Sequence, residues 1–218
     1  MVAGELTYPR VRKWSRDEYH RAGELGVFGP DERLELIEGE VFEKMSPQSN
    51  PHAAGVTFVA EALRQIAGRQ HFVREEKPIV LSDQSEPEPD VVLVRGAPRS
   101  VTHHPRPENI ALVVEVAETS LQQDRTRKLA VYAKHGITEY WIVNLRQRQL
   151  EIHRDPGPLG DGTFGYRLTA VVLEDAVATT LELPDQPILV RDMLPSDLSW
   201  TAAPDESQES PVGQQASP

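Results

Sequence analysis

Apolar residues along the chain recur with two different periods, one typical of helices and one typical of strands. After His52, four apolar residues follow at spacings of three and four, which predicts an amphipathic helix over residues 52–67. Short apolar runs bounded by turn residues predict strands, and residues 110–117 form the most apolar of them. The pattern therefore predicts an α/β protein, with a central sheet flanked by helices.

Caps, turns and shorter apolar runs place the other elements. Ser15 and Glu18 have the spacing of a capping box, which predicts a helix over residues 16–25. Glu38-Gly39 between two alternating runs predicts a β-hairpin. A further helix is expected over residues 121–135, ended by Gly136. Strands are predicted at residues 71–81, 90–94, 140–145, 149–154, 166–173 and 188–190.

Length and composition narrow the class of protein. The 218 residues suffice for one domain over residues 1–201, whereas residues 202–218 are polar and predict a disordered acidic tail. The absence of cysteine excludes disulfides and cysteine-based zinc sites, and it suits a reducing compartment. No apolar run is long enough to cross a membrane and the first residues do not resemble a signal peptide, so we expect a cytoplasmic protein without a membrane partner.

The net charge of -11 argues at first against a polyanionic partner, because binding to phosphates depends on Lys and Arg. The charge is unevenly distributed, however. From Glu174 onward the chain has nine acids and one base, a net of -8, which leaves -3 for residues 1–173. Residues 121–154 hold seven bases against three acids. A basic surface and a solvated helix face are both consistent with this pattern.

Two acids occupy positions where buried strands would not be expected to carry charge. Glu115 lies inside the apolar run 110–117, and Asp90 opens the apolar run 91–94. Removing a carboxylate from water is unfavourable unless it is paired, hydrogen-bonded, protonated or bound to a cation. If the two strands are antiparallel neighbours, the two carboxylates lie side by side.

Lys128 is the base that the following helix should bring to Glu115. The strand continues about 10 Å beyond Glu115, and the helix from Ser120 to Lys128 returns about 12 Å. Asp124 and Tyr132, four residues to either side, share a helix face with Lys128. Two carboxylates and an ammonium group are the parts of a magnesium-dependent phosphodiesterase, in which the lysine serves the attacking water. An ion-pair network that includes Arg125 and has no catalytic role is the alternative.

Several motifs occur in a characteristic order: Glu35-Leu36-Ile37-Glu38-Gly39-Glu40, Met45-Ser46-Pro47, His52, Pro89-Asp90, Glu115-Val116-Ala117, Lys128 and Gly136-Ile137-Thr138-Glu139-Tyr140-Trp141. Over about residues 12–155 the chain resembles the Uma-two family of restriction-endonuclease-like bacterial proteins, within the PD-(D/E)xK nuclease superfamily. The resemblance implies a restriction-endonuclease-like core, a central mixed sheet flanked by helices, with an N-terminal helix and a β-hairpin.

The same resemblance implies a site and an activity. Asp90, Glu115 and the backbone carbonyl of Val116 would hold Mg²⁺ or Mn²⁺. The superfamily lysine, which would stand at Ala117, would have migrated to Lys128. The expected function is hydrolysis of nucleic acid, with DNA as the first candidate, by a homodimer. A catalytically silent nucleic-acid-binding or regulatory protein of the same fold is the alternative.

Glu35 and His52 belong to the matching motifs and complete the candidate site. Glu35 is expected to reach the metal, with an exposed hairpin acid as the alternative. His52 is expected to be a satisfied histidine at the edge of the core, with a contact to water or phosphate in the site as the alternative.

Overall fold

The computed structural model describes residues 11–44, 49–100 and 102–196. The motif at residues 45–47 and the predicted tail at residues 202–218 lie outside this part of the chain. Six strands form the central sheet in the order of the sequence: β3 (His71–Glu75), β4 (Val91–Arg95), β5 (Ile110–Ala117), β6 (Glu139–Asn144), β7 (Gln149–Pro158) and β8 (Phe164–Leu173). Neighbouring strands are antiparallel except for β5 and β6, which are parallel. The predicted mixed sheet is confirmed.

Helices cover both faces of the sheet. Helix α2 (Asn50–Ala67) packs on one face, where Val59 and Leu63 join Val116 in a buried apolar cluster. The opposite face is covered by the segment that crosses from β5 to β6, which consists of α3 (Leu121–Gln123), a π-helical turn (Asp124–Lys128) and α4 (Leu129–Lys134). Since alternate residues of a strand point to opposite faces, Glu115 points toward this crossover segment while Val116 points toward α2.

Gly55 allows α2 to approach β5 closely. A Cβ atom on Gly55 would lie 2.9 Å from Val116 Cγ1 and 3.2 Å from a methyl of Leu145. The contact lies one turn after the start of the helix, so it also holds His52 near the end of the sheet.

Helix α1 (Arg16–Glu24) and the hairpin of β1 (Leu34–Ile37) and β2 (Glu40–Glu43) complete the predicted N-terminal elements. The capping box is present: Glu18 N donates to Ser15 Oγ, and Ser15 N donates to the Glu18 carboxylate. Glu38 and Gly39 both have positive φ, as a tight hairpin turn requires. The hairpin contacts the segment before β4 through a backbone hydrogen bond of 2.7 Å from Glu86 N to Leu36 O.

Three differences from the sequence-based prediction are larger than the shifts of up to four residues at the ends of other elements, such as β7, which was predicted to end at Arg154. The strand expected over residues 71–81 ends at Glu75, because Glu76 adopts a φ of 45° and Pro78 follows. The helix expected over residues 121–135 contains the π-helical turn. A short strand β9 (Val177–Ala178) pairs with β10 (Ile188–Leu189) and was not predicted. Among the described residues, no helix is long and apolar enough to cross a membrane.

Candidate active site

Asp90 and Glu115 lie at the same end of neighbouring strands. In the antiparallel pair of β4 and β5, Val91 is opposite Val114, which places Asp90 beside Glu115. Asp90 Oδ2 accepts a hydrogen bond of 2.8 Å from Val116 N. Both acids are buried, with exposed fractions of 6% for Asp90 and 2% for Glu115. The structure therefore brings together the two carboxylates that the sequence singled out.

Lys128 and Tyr132 reach Glu115 from the crossover segment. Lys128 Nζ lies 3.0 Å from Glu115 Oε2 and 4.0 Å from Asp124 Oδ1. The Tyr132 hydroxyl donates a hydrogen bond of 2.7 Å to Glu115 Oε1. Both oxygens of Glu115 therefore have a partner, and Lys128 stands at the level that the helix and strand rises indicated.

The π-helical turn supplies the buried charges of this segment. Within it, the backbone N–H of Leu129 donates to Asp124 O, the i to i+5 pattern that defines a π-turn. Asp124 and Lys128, at its two ends, are both buried, and Asp124 Oδ2 accepts a hydrogen bond of 2.6 Å from Ser120 Oγ. Such turns are rare and occur frequently at functional sites. Its spacing of four residues from Lys128 predicted the helix face of Asp124 correctly, but Asp124 was not among the predicted site residues.

His52 and Glu35 join the same cluster from other elements. His52 Nε2 lies 3.6 Å from Asp90 Oδ1. Glu35 is 1% exposed and accepts a hydrogen bond of 3.3 Å from Glu88 N. The alternative of an exposed hairpin acid is therefore wrong for Glu35. For His52, the structure shows a residue at the edge of the core that is also within reach of a site carboxylate.

These side chains line a small open cleft of about 80 Å³. Five of the six predicted site residues and Asp124 form its wall, together with Arg33, Lys44, Thr119, Ser120 and Gln123, whereas Val116 does not line it. Sequence reasoning missed Arg33 and Lys44. Arg33 directly precedes the hairpin and Lys44 directly follows it. If Glu35 had been predicted to be buried in the site, these two neighbours of the hairpin would have been predicted to lie near it. His103 and His104 do not line this cleft.

The buried groups shift one another's pKa values. Burial raises the pKa of Glu115 to about 8, against the opposing effect of Lys128. Burial has the same effect on Asp90, but the neighbouring His52, whose Nε2 lies 3.6 Å from Asp90 Oδ1, and the charges of Lys128 and Lys44 lower its pKa to about 2. Burial disfavours the charged form of Lys128, yet the surrounding carboxylates raise its pKa well above the usual value. Glu35, Asp90, Glu115 and Asp124 thus surround a single buried ammonium group, while Arg33 and Lys44 add positive charge at the wall of the cleft.

The donor set is suited to a hard divalent cation that keeps several water ligands. Among the described residues, no group of three or more His, Cys, Asp or Glu side chains is arranged to hold a metal ion. Asp90 and Glu115 supply two carboxylates, and the predicted third ligand is a backbone carbonyl. Mg²⁺ is commonly bound by one or two carboxylates, with water and substrate phosphate completing its shell. The residues therefore fit a hard divalent cation and do not resemble a closed structural site.

Comparison with known proteins supports the same fold and family. A crystal structure described as a putative nuclease belonging to DUF820, from Anabaena variabilis, superposes with a TM-score of 0.61 at 16% sequence identity. The match covers 82% of this chain and 96% of that one. No curated protein matches the chain. The family described as "Uma2: Putative restriction endonuclease" matches residues 16–191. Because this match covers most of the chain and agrees with the resemblance drawn from its motifs, the protein belongs to the Uma2 family.

Proposed function

We propose that this protein is a metal-dependent nuclease that hydrolyses phosphodiester bonds in DNA. The observation that carries the proposal is the 3.0 Å contact between Lys128 Nζ and Glu115 Oε2, beside Asp90 in the wall of an open cleft. A buried ammonium next to two strand-end carboxylates matches the needs of phosphodiester hydrolysis. Membership of a nuclease family supports the class of reaction.

Asp90, Glu115 and the backbone carbonyl of Val116 would hold Mg²⁺ or Mn²⁺. When bound, such an ion neutralises charge on the phosphate and lowers the pKa of a coordinated water. Asp90 is well suited to a ligand role because its low pKa keeps it ionised at neutral pH. A bound cation would also favour the ionised form of Glu115, whose pKa burial raises to about 8.

Lys128 would orient the attacking water and stabilise charge on the phosphate. The water oxygen forms the new bond to phosphorus and releases a proton to solvent, the bond from phosphorus to the leaving oxygen breaks, and the leaving oxygen takes up a proton from solvent. An ammonium donor near the phosphate stabilises the charge that develops on its oxygens. Tyr132 and His52 would act as positioning residues, since each contacts one of the two carboxylates.

Two measurements test the proposal. Isothermal titration calorimetry should detect binding of Mn²⁺ to the wild type and none to Asp90→Asn. Supercoiled plasmid and single-stranded DNA should be cut by the wild type in Mg²⁺ and left intact in EDTA. Asp155→Asn is a matched control. Asp155 Oδ1 lies 2.7 Å from Arg167 Nη2 in a surface ion pair, and Asp155 does not line the cleft.

Each outcome separates the alternatives. If Asp90→Asn binds Mn²⁺ like the wild type, the metal site is elsewhere. Binding of DNA without cleavage under any metal would support the catalytically silent alternative. Cutting both strands of a duplex usually takes two sites, so we also propose that the protein is a homodimer in the cytoplasm. Light scattering of the purified protein would test the homodimer.

A further inference from the structure

A cationic pocket lies at the β3 edge of the sheet, apart from the residues of the candidate active site. Its volume is about 560 Å³, and we define it by five basic side chains, those of Arg16, Arg74, His103, His104 and Arg106. Within the described part of the chain, no acidic side chain lines it. In a protein of net charge -11, this is a local reversal of sign. Such a reversal is typical of a surface that binds an anion.

The loop that carries three of these side chains is anchored. The backbone N–H of Val80 donates a hydrogen bond of 2.9 Å to the carbonyl of Pro105, and Pro105 is buried. His103, His104 and Arg106 flank this buried proline. The backbone that carries them is therefore held near the sheet edge, while the three side chains are exposed.

Arg74 has no carboxylate partner among the described residues. Its Nη2 lies 3.2 Å from His104 Nδ1. A guanidinium group can only donate, so Nδ1 is the acceptor and the neutral ring carries its proton on Nε2. The pair therefore offers the remaining guanidinium donors and one imidazole N–H. Burial lowers the pKa of Arg74, as expected for a charge that is removed from water without an anion beside it.

Arg16 contributes less charge than its position suggests. Its side chain is paired with the buried Glu86, which also contacts His20 Nε2 at 2.8 Å. Arg16 thus fixes one wall of the pocket with its charge largely compensated. The net positive charge of the pocket depends mainly on Arg74 and Arg106.

One residue of the cationic pocket, Arg74, lies close along the sheet to Asp90. Arg74 pairs with Val92, two residues along β4 from Asp90. From the rise and spacing of strands, the Cα atoms of Arg74 and Asp90 are about 8 Å apart. A nucleic-acid strand with its scissile phosphate at Asp90 could place a neighbouring phosphate in the pocket.

We propose that the cationic pocket binds a backbone phosphate of the substrate strand, a few nucleotides from the bond that is cut. Bidentate donors such as Arg74 match the geometry of a phosphate. The inference rests on the proposed function. It accounts for how an acidic protein would hold a polyanion, because the required positive charge is concentrated in one place.

The test is equilibrium binding of a short fluorescein-labelled DNA duplex in EDTA, followed by fluorescence anisotropy at several salt concentrations. The double variant Arg74→Gln, Arg106→Gln should bind the duplex at least about tenfold more weakly than the wild type. The slope of its log association constant against log salt concentration should be smaller in magnitude by up to about two. Arg99→Gln is the matched control, since Arg99 is an exposed arginine of the same connection that does not line the pocket. It should bind like the wild type.

Equal affinity and equal salt dependence of the wild type and the double variant would overturn the inference, as would a wild type that does not bind the duplex. If circular dichroism shows that the double variant is misfolded, Arg106→Gln alone carries the test, because Arg106 is exposed on the loop. The proposed function is tested in a separate assay, which compares DNA cleavage by the wild type and by Asp90→Asn in Mg²⁺. That assay uses no pocket variant.

Discussion

Lys128 Nζ lies 3.0 Å from Glu115 Oε2, and both side chains are more than nine-tenths buried. An ion pair this deep is weak evidence for stability, because the loss of hydration offsets the attraction between the charges. The contact places an ammonium donor beside the proposed metal ligands. The contribution of this contact is therefore best measured through the cleavage activity of variants.

Replacing Lys128 with Met should reduce the rate of DNA cleavage by about two or more orders of magnitude. The change removes the ammonium group and keeps the apolar stem. Affinity for Mn²⁺ should be retained or increased, because a cation cannot be a ligand and Glu115 loses a competitor. Single-turnover cleavage and calorimetry on the same preparation measure the two effects.

Lys134→Met is the control for this variant. Lys134 lies on the same crossover segment, with its side chain 44% exposed and paired with Glu38 at the surface. Arg125→Met is less suitable, because Arg125 donates two hydrogen bonds to the buried Glu151. Equal cleavage rates for Lys128→Met and Lys134→Met would remove Lys128 from the mechanism.

Tyr132→Phe should lower activity through the orientation of Glu115. The change removes the 2.7 Å hydrogen bond to Glu115 Oε1 and leaves a buried carboxylate oxygen without its donor. We expect about a tenfold loss of Mn²⁺ affinity and a destabilisation of about 1 to 3 kcal/mol. Chemical denaturation, calorimetry and cleavage assays would measure the three quantities.

Tyr166→Phe provides a matched comparison. The Tyr166 hydroxyl is also buried and donates a hydrogen bond of 2.9 Å, in this case to the carbonyl of Ile137. It should lose a similar amount of stability and keep full metal affinity. A parallel loss of metal affinity in both variants would show that the effect of Tyr132 is general loosening of the core.

Asp90→Asn should reduce Mn²⁺ affinity by at least about a hundredfold without unfolding the protein. Asparagine keeps an oxygen that can accept the 2.8 Å hydrogen bond from Val116 N, whereas alanine would leave that buried N–H without an acceptor. Thermal melts in EDTA should therefore show Asp90→Asn more stable than Asp90→Ala, by about 1 to 3 kcal/mol. Indistinguishable melts would mean that the hydrogen bond contributes nothing to the fold.

Glu139→Gln should destabilise the protein by about 3 kcal/mol or more and leave metal binding unchanged. Glu139 is fully buried and accepts hydrogen bonds from Arg154, Trp141 Nε1 and Leu181 N. An amide cannot satisfy all these donors. Glu38→Gln is the control: Glu38 pairs with Lys134 and His135 at the surface, where about 1 kcal/mol or less is expected. Equal urea midpoints for the two variants would contradict the prediction.

The elements determined by local sequence were predictable. Strand β5 has the bounds that its apolar run indicated, and α1 begins at the capping box. The position of Lys128 beside Glu115 could be predicted from the rise per residue of the strand and of the helix, because only one short connection separates the two residues. Asp90 and Glu115 stood out because charge is unfavourable in an apolar run.

The features that depend on distant contacts were not predictable. Glu35 is buried because the hairpin is held against the segment before β4, about fifty residues later in the chain, through Leu36 and Glu86. The π-helical turn has no distinct apolar period. In the sequence, Arg74 is an ordinary residue of a predicted strand. Only the fold shows that it lines a pocket together with His104, thirty residues later in the chain.

The π-helical turn affects how related sequences should be aligned. A turn closed from residue i to i+5 contains one residue more than an α-helical turn. A relative with a regular helix could keep every contact of this site and yet have one residue fewer between its acid and its lysine. Alignment outward from Glu115 would then pair Lys128 with a wrong position. The four-residue spacing from Lys128 to Tyr132 spans the regular helix that follows the turn, so it is the better reference for locating the lysine in other members of the family.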